Sequence, residues 1–131
     1  MTKSRLTLVP ATLAAFVLGS AIAYAETGIM TANSSVGEVL TNADGMTLYR
    51  YDKDMDGKSA CYDKCAENWP PLLAPAGAMP EDDFGLIERQ DGSMQWTYYG
   101  QPLYLWKNDA KPGDVTGDGV GGAWHVAAPQ G

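Results

Sequence analysis

Residues 45–54, GMTLYRYDKD, recur fifty-five positions later as residues 100–109, GQPLYLWKND. In that register Gly45 falls on Gly100, Leu48 on Leu103, Tyr49 on Tyr104, Tyr51 on Trp106 and Asp54 on Asp109. The same shift carries Asp63 onto Asp118 and Trp69 onto Trp124. Self-similarity at a fixed period marks duplication of one supersecondary unit, because each copy needs the same buried positions and turns. Read as a strand, residues 47–52 put Leu48 and Arg50 on one face and Tyr49 and Tyr51 on the other.

Working outward, residues 1–25 read as a cleaved export signal. Lys3 and Arg5 precede an apolar run over residues 6–22, and Ala23, Tyr24 and Ala25 form a small-x-small cleavage site. Cleavage there leaves a chain starting at Glu26, 106 residues long, whose net charge passes from −7 to −9 with the loss of two basic residues. That length suits one domain. With 16 acidic residues against 9 basic ones and no basic cluster, neither nucleic acid nor an anionic membrane is an expected partner.

Residues 26–35, ETGIMTANSS, are small, polar and unpatterned, and are expected to be a flexible lead-in. Residues 36–40, the Asp44-Gly45 turn and residues 46–51 read as strand, turn and strand. Residues 61–69, CYDKCAENW, hold helix formers behind Ser59 as N-cap, and Pro70-Pro71 stops the helix. Residues 72–83 read as an inter-repeat connection. Residues 84–89, 94–99 and 103–107 then read as three strands around the Asp91-Gly92 and Gly100-Gln101-Pro102 turns. A glycine-rich loop at 111–122 leads to a closing strand at 123–127. The expected fold is mainly β: one domain over 36–131 with about seven strands and one short helix. Two duplicated units, about 36–73 and 84–129, pack pseudo-symmetrically.

The doubled L-Y-x-[aromatic]-x-x-D signature resembles that of a bacterial secreted-repeat family with the motif Y-x-[FWY]-x-x-D. Three further blocks resemble it too: SACYDKCAENWPPL (59–72), RQDGSMQWTYYGQPLYLW (89–106) and PGDVTGDGVGGAWHV (112–126). The likeness runs from about residue 36 to 129. Many relatives are predicted lipoproteins, whereas no cysteine stands near the cleavage site here. The resemblance thus implies a free periplasmic or secreted protein and carries no established activity with it.

Several residue sets bear on chemistry. Tyr49, Tyr51, Tyr104, Trp106, Trp69 and Trp124 share the repeated register, and burial in a small core is their expected role. An aromatic ligand groove is the alternative. A core of Tyr and Trp needs polar partners, and Asp54 and Asp109 are natural candidates. Alternatively those two aspartates meet across a pseudo-two-fold axis as a cation site or an acid–base pair. Asp52, Asp54 and Asp56 with Gly57, and Asp63 at the twelfth place, fit part of a calcium-loop pattern. Ser59 at the eighth place and Asp rather than Glu at the end count against it. The sequence 114–125 is a poorer copy. A solvated acidic turn is expected.

Cys61 and Cys65 are the only cysteines and are expected to form a structural disulfide in an exported chain. Copper held by Cys61, Cys65 and the sole histidine, His125, is one alternative, and a redox-active dithiol is another. No G-x-S-x-G motif occurs, and GDGVGG at 117–122 lacks the context of a phosphate loop. The resulting expectation is an exported, non-catalytic binding or interaction module of the cell envelope. It needs no cofactor, with calcium or copper as alternatives, and its partner is an envelope protein or a small ligand.

Overall fold

The computed structural model of the chain describes residues 27–130; the export signal expected at 1–25, Glu26 and Gly131 lie outside the described residues. The elements in order are β1 (Met30–Ser34), β2 (Gly37–Thr41), β3 (Tyr49–Tyr51), α1 (Lys64–Asn68), β4 (Leu73–Ala74), β5 (Phe84–Glu88), β6 (Met94–Tyr98), β7 (Gln101–Pro102) and β8 (Trp124–Val126). A 3-10 turn at Val120–Gly122 precedes β8. Mainly β with one short α-helix, the fold matches the sequence expectation in class.

Each unit opens with an antiparallel hairpin: β1 pairs with β2, and β5 with β6. The first hairpin corrects the expected flexible lead-in at 26–35. Side chains of β1 are exposed at four of five positions, so no alternation marks it in sequence. Its order comes from backbone pairing with β2 and from Ile29, which is fully buried just before it. Gly37 supplies the turn with φ 109°, a conformation other residues rarely adopt. In the Asp44-Gly45 turn, Asn42 Oδ1 accepts from the backbone N–H of both Asp44 and Met46.

The two units then exchange strands. β3 from the first motif pairs with β8 at the end of the second unit, in the register Tyr49↔Val126, Arg50↔His125 and Tyr51↔Trp124. The second motif does the reciprocal thing with the end of the first unit. Leu105 N–H donates to Pro70 C=O, Leu72 N–H donates to Leu103 C=O, and Tyr104 bridges Pro71. Residues 103–107 are therefore not the continuous strand expected from sequence; only the Tyr104 bridges remain of it. Nor is 72–83 a passive connection, since β4 within it pairs with β6.

The helix also begins later than its sequence suggests. Asp63 has φ 55°, so α1 starts at Lys64 and Cys61 lies ahead of it. Ser59 does not cap the helix: its Oγ accepts from the N–H of Cys61, ahead of the first turn, and bonds the Tyr104 hydroxyl. The Cys61–Cys65 disulfide, with Cα atoms 5.2 Å apart, ties the incoming loop to the first turn.

Two buried clusters result. Ile29, Leu40, Leu48, Phe84, Trp96, Tyr98, Leu103 and Ala127 fill the space under the hairpins. Tyr49, Cys61, Trp69, Tyr104 and Trp124 form the second cluster, where the units interlock. Burying each such Tyr or Trp removes roughly 150–250 Å² from water, worth at most about 4–6 kcal/mol.

Candidate functional site

The centre of the molecule is the repeated motif paired with itself. Tyr49 N–H donates to Tyr104 C=O at 2.8 Å and Tyr104 N–H donates back to Tyr49 C=O at 2.9 Å. Equivalent residues of the two copies thus form one antiparallel hydrogen-bonded pair. An antiparallel pairing of a residue with its own counterpart relates the two motifs by a local pseudo-two-fold.

The other repeated aromatics extend this symmetry. Trp69 and Trp124, equivalent in the repeat, stack with centroids 3.8 Å apart and planes 1° apart. Tyr51 stacks on Trp124 at 4.1 Å, and its counterpart Trp106 stacks on Trp69 at 4.0 Å. The result is a four-ring ladder in the order Tyr51, Trp124, Trp69, Trp106. Tyr49 meets Trp69 edge-on, and Tyr104 meets Trp124 likewise. The two central indoles spend both faces on other rings. The outer rings, Tyr51 and Trp106, are half-buried at the two ends of the ladder.

Asp54 and Asp109 are engaged separately, each by the tyrosine of the other copy. Tyr49 Oη–H donates to Asp109 Oδ2 and Tyr104 Oη–H donates to Asp54 Oδ2, both at 2.6 Å. Asp109 also accepts from the hydroxyl and the N–H of Thr116; Asp54 accepts from Ala60 N–H. Burial, and then the neighbouring carboxylate, push both phenols far above the ordinary tyrosine range. Burial raises the Asp54 carboxyl, with the bonds from Tyr104 and Ala60 opposing it.

The candidate metal ligands do not converge. Asp54 turns inward to Tyr104, whereas Asp52 turns outward to Arg50 and to His125 Nε2 at 2.7 Å. That bond to His125 holds the Asp52 carboxyl below its usual range. The acidic loop therefore does not gather Asp52, Asp54, Asp56 and Asp63 into one shell. In the copper alternative, the sulfurs of Cys61 and Cys65 are bonded to each other while His125 pairs with Asp52. Among the described residues no group of three or more His, Cys, Asp or Glu is placed to hold a metal. Cys61, the attacking thiol of the dithiol alternative, is fully buried.

A different site emerges beside the first unit. Arg89, only 6 % exposed, reaches across from the end of β5 to the loop before α1. Its Nη1 donates to Gln95 Oε1 at 2.7 Å and to Ser59 Oγ at 3.2 Å, and its Nη2 donates to Cys61 C=O at 2.7 Å. The guanidinium lies 4.4 Å from the Tyr62 ring centroid. Since the Tyr104 proton is spent on Asp54, Ser59 donates to Tyr104. A directed chain of hydrogen bonds thus runs from Arg89 through Ser59 and Tyr104 to Asp54. Arg89, Ser59 and Tyr62 line a cleft of about 540 Å³ with Gly57, Lys58, Glu88 and Gln90.

None of these cleft residues belongs to the repeated register, which is why motif reading passed over them. The available signal was the difference between the copies: Arg89 stands where the first unit has Ser34, and Ser59 where the second has Asp114.

Residues 30–73 and 85–128 each match the model of a family described as a secreted repeat of unknown function. The first match begins at β1, not at residue 36, and so includes the hairpin that composition concealed. No curated protein and no solved structure matches the chain.

Proposed function

This chain belongs to a family of secreted repeats of unknown function, and from that premise we propose that it serves as a non-catalytic binding module of the cell envelope. Its ligand is small and enters the cleft beside Arg89 and Tyr62. The observation that carries this reading is a concave site lined by a buried cation and an aromatic ring. Groups suited to acid–base chemistry are engaged elsewhere: His125 with Asp52, and both buried phenols with carboxylates. Among the described residues no helix is long and apolar enough to cross a membrane. The family's description as secreted supports an envelope or extracellular location, and a free periplasmic or secreted form is our reading of it.

Amide NMR spectra recorded against a panel of sugars, amino acids, organic acids and aromatic amines test the reading. Binding should displace resonances at residues 57–62 and 88–90. Displacements centred on Tyr51 and Trp106 would move the site to the outer faces of the ladder. No displacement by any class would remove the proposal.

A further inference from the structure

The cleft holds a cation without an ion-pair partner. Arg89 is nine-tenths buried, yet among the described residues no carboxylate lies within ion-pairing distance of it. Its acceptors are all neutral: the Gln95 amide, the Ser59 hydroxyl and the Cys61 carbonyl. Buried charges are ordinarily paired, because desolvation without a counter-charge is unfavourable. Asp54 and Asp91 feel the Arg89 charge through space, and Asp54 is also joined to it by a relay through two hydroxyls, but neither pairs with the guanidinium directly.

Three further features face the same way. The guanidinium has five N–H groups; three of them are used, and among the described residues the Nε–H and one Nη2–H have no acceptor. Lys58, exposed and free of ion pairs among the described residues, adds a second cation to the lining, so that two cations stand there against the one carboxylate of Glu88. Tyr62 places its ring face under the guanidinium carbon, 4.4 Å from the ring centroid, and so holds the cation at the cleft.

We propose that the cleft binds a small oxyanion, seated on the buried guanidinium of Arg89 with Lys58 closing over it. The planar fork of Arg matches a carboxylate best, so a small organic acid is the favoured source over free phosphate. This inference rests on the cleft being the ligand site and adds the charge of the ligand.

The test uses the oxidised protein, titrated with benzoate, benzamide and inorganic phosphate at constant ionic strength, with resonances at 57–62 and 88–90 as the readout. Benzoate should bind and benzamide, its neutral counterpart, should not. Lys58→Ala, on an exposed side chain that leaves the fold intact, should weaken benzoate roughly tenfold. Arg89→Lys keeps the charge and loses the fork, and should weaken benzoate more than phosphate. Phosphate binding in place of benzoate would retain the oxyanion and reassign its source. Equal binding of benzoate and benzamide would overturn the oxyanion inference and leave the cleft as a binding site. Failure of every probe would overturn both.

Discussion

Replacing Tyr49 by Phe isolates the hydrogen bond that locks one unit to the other. The ring stays, so its edge-on contact with Trp69 and its pairing with Tyr104 are retained. Two bonds go: the 2.6 Å donation to Asp109 and the 3.2 Å acceptance from Gly117 N–H. Asp109 is only 9 % exposed, so water does not freely replace the lost donor, although both bonds from Thr116 persist. A hydrogen bond to a charged group is worth about 1.5–3 kcal/mol, and the Gly117 bond adds a weaker contribution. We expect a loss of about 2 kcal/mol, which lowers Tm by roughly 8–16 °C in a domain of this size. Thermal unfolding followed by near-UV circular dichroism reads it directly. Tyr51→Phe is the control, since among the described residues the Tyr51 hydroxyl has no partner and its stacking on Trp124 survives the change. A double-mutant cycle of Tyr49→Phe with Asp109→Asn should show a coupling of at least about 1 kcal/mol. Strict additivity, or an unchanged Tm in Tyr49→Phe, would refute the exchanged Tyr–Asp lock.

Other expectations follow from the same geometry. Gly117→Ala would place a Cβ 2.9 Å from the Tyr49 and Trp69 rings, which are too well packed to yield, so chemical denaturation should show a loss of about 1–3 kcal/mol. Removing the disulfide with Cys61→Ala and Cys65→Ala opens a loop of sequence separation 4, for which chain entropy gives about 2 kcal/mol; a change of Tm below a few degrees would refute that. Asp54 sets a pH signature. Its carboxyl is raised in the folded chain, so the folded state holds a proton the unfolded state has released, and stability falls as pH rises through the window above 3.8. Asp52, Asp91 and Asp114 are lowered by bonds from His125, Ser93 and Lys111, and act oppositely: their stabilisation is lost as pH falls below that value. The destabilisation caused by Asp54→Asn should therefore be larger near pH 3 than near pH 7, measured by urea midpoints, and the reverse order would contradict the burial of Asp54.

The repeated register was legible because it is made of residues whose chemistry has few substitutes. A buried Tyr needs an acceptor for its hydroxyl, so each Tyr comes with an Asp, and each copy repeats the pair at the same spacing. Hairpins were legible where alternation and turn residues coincide, as at residues 84–98. β1 was not, because an exposed strand held by its backbone leaves no apolar pattern. The helix was placed early because a run of helix formers says nothing of the left-handed Asp63 that delays it. Aspartate spacing suggested a cation loop, but spacing does not say which side chain turns inward, and Asp54 and Asp52 turn opposite ways.

The sequence by itself determined that this is a mainly β chain built of two copies of one motif, since repeats and turns are local properties. Only the tertiary structure decided that the copies trade strands, that each motif Tyr is held by the other copy's Asp, and that four aromatic rings stack in one ladder that crosses from one copy to the other. It also placed Arg89, Ser59 and Tyr62 around one cleft. The physical reason is that those contacts join residues far apart in the chain, and a two-fold arrangement pairs a residue with its counterpart in the other copy, not with its neighbours in sequence.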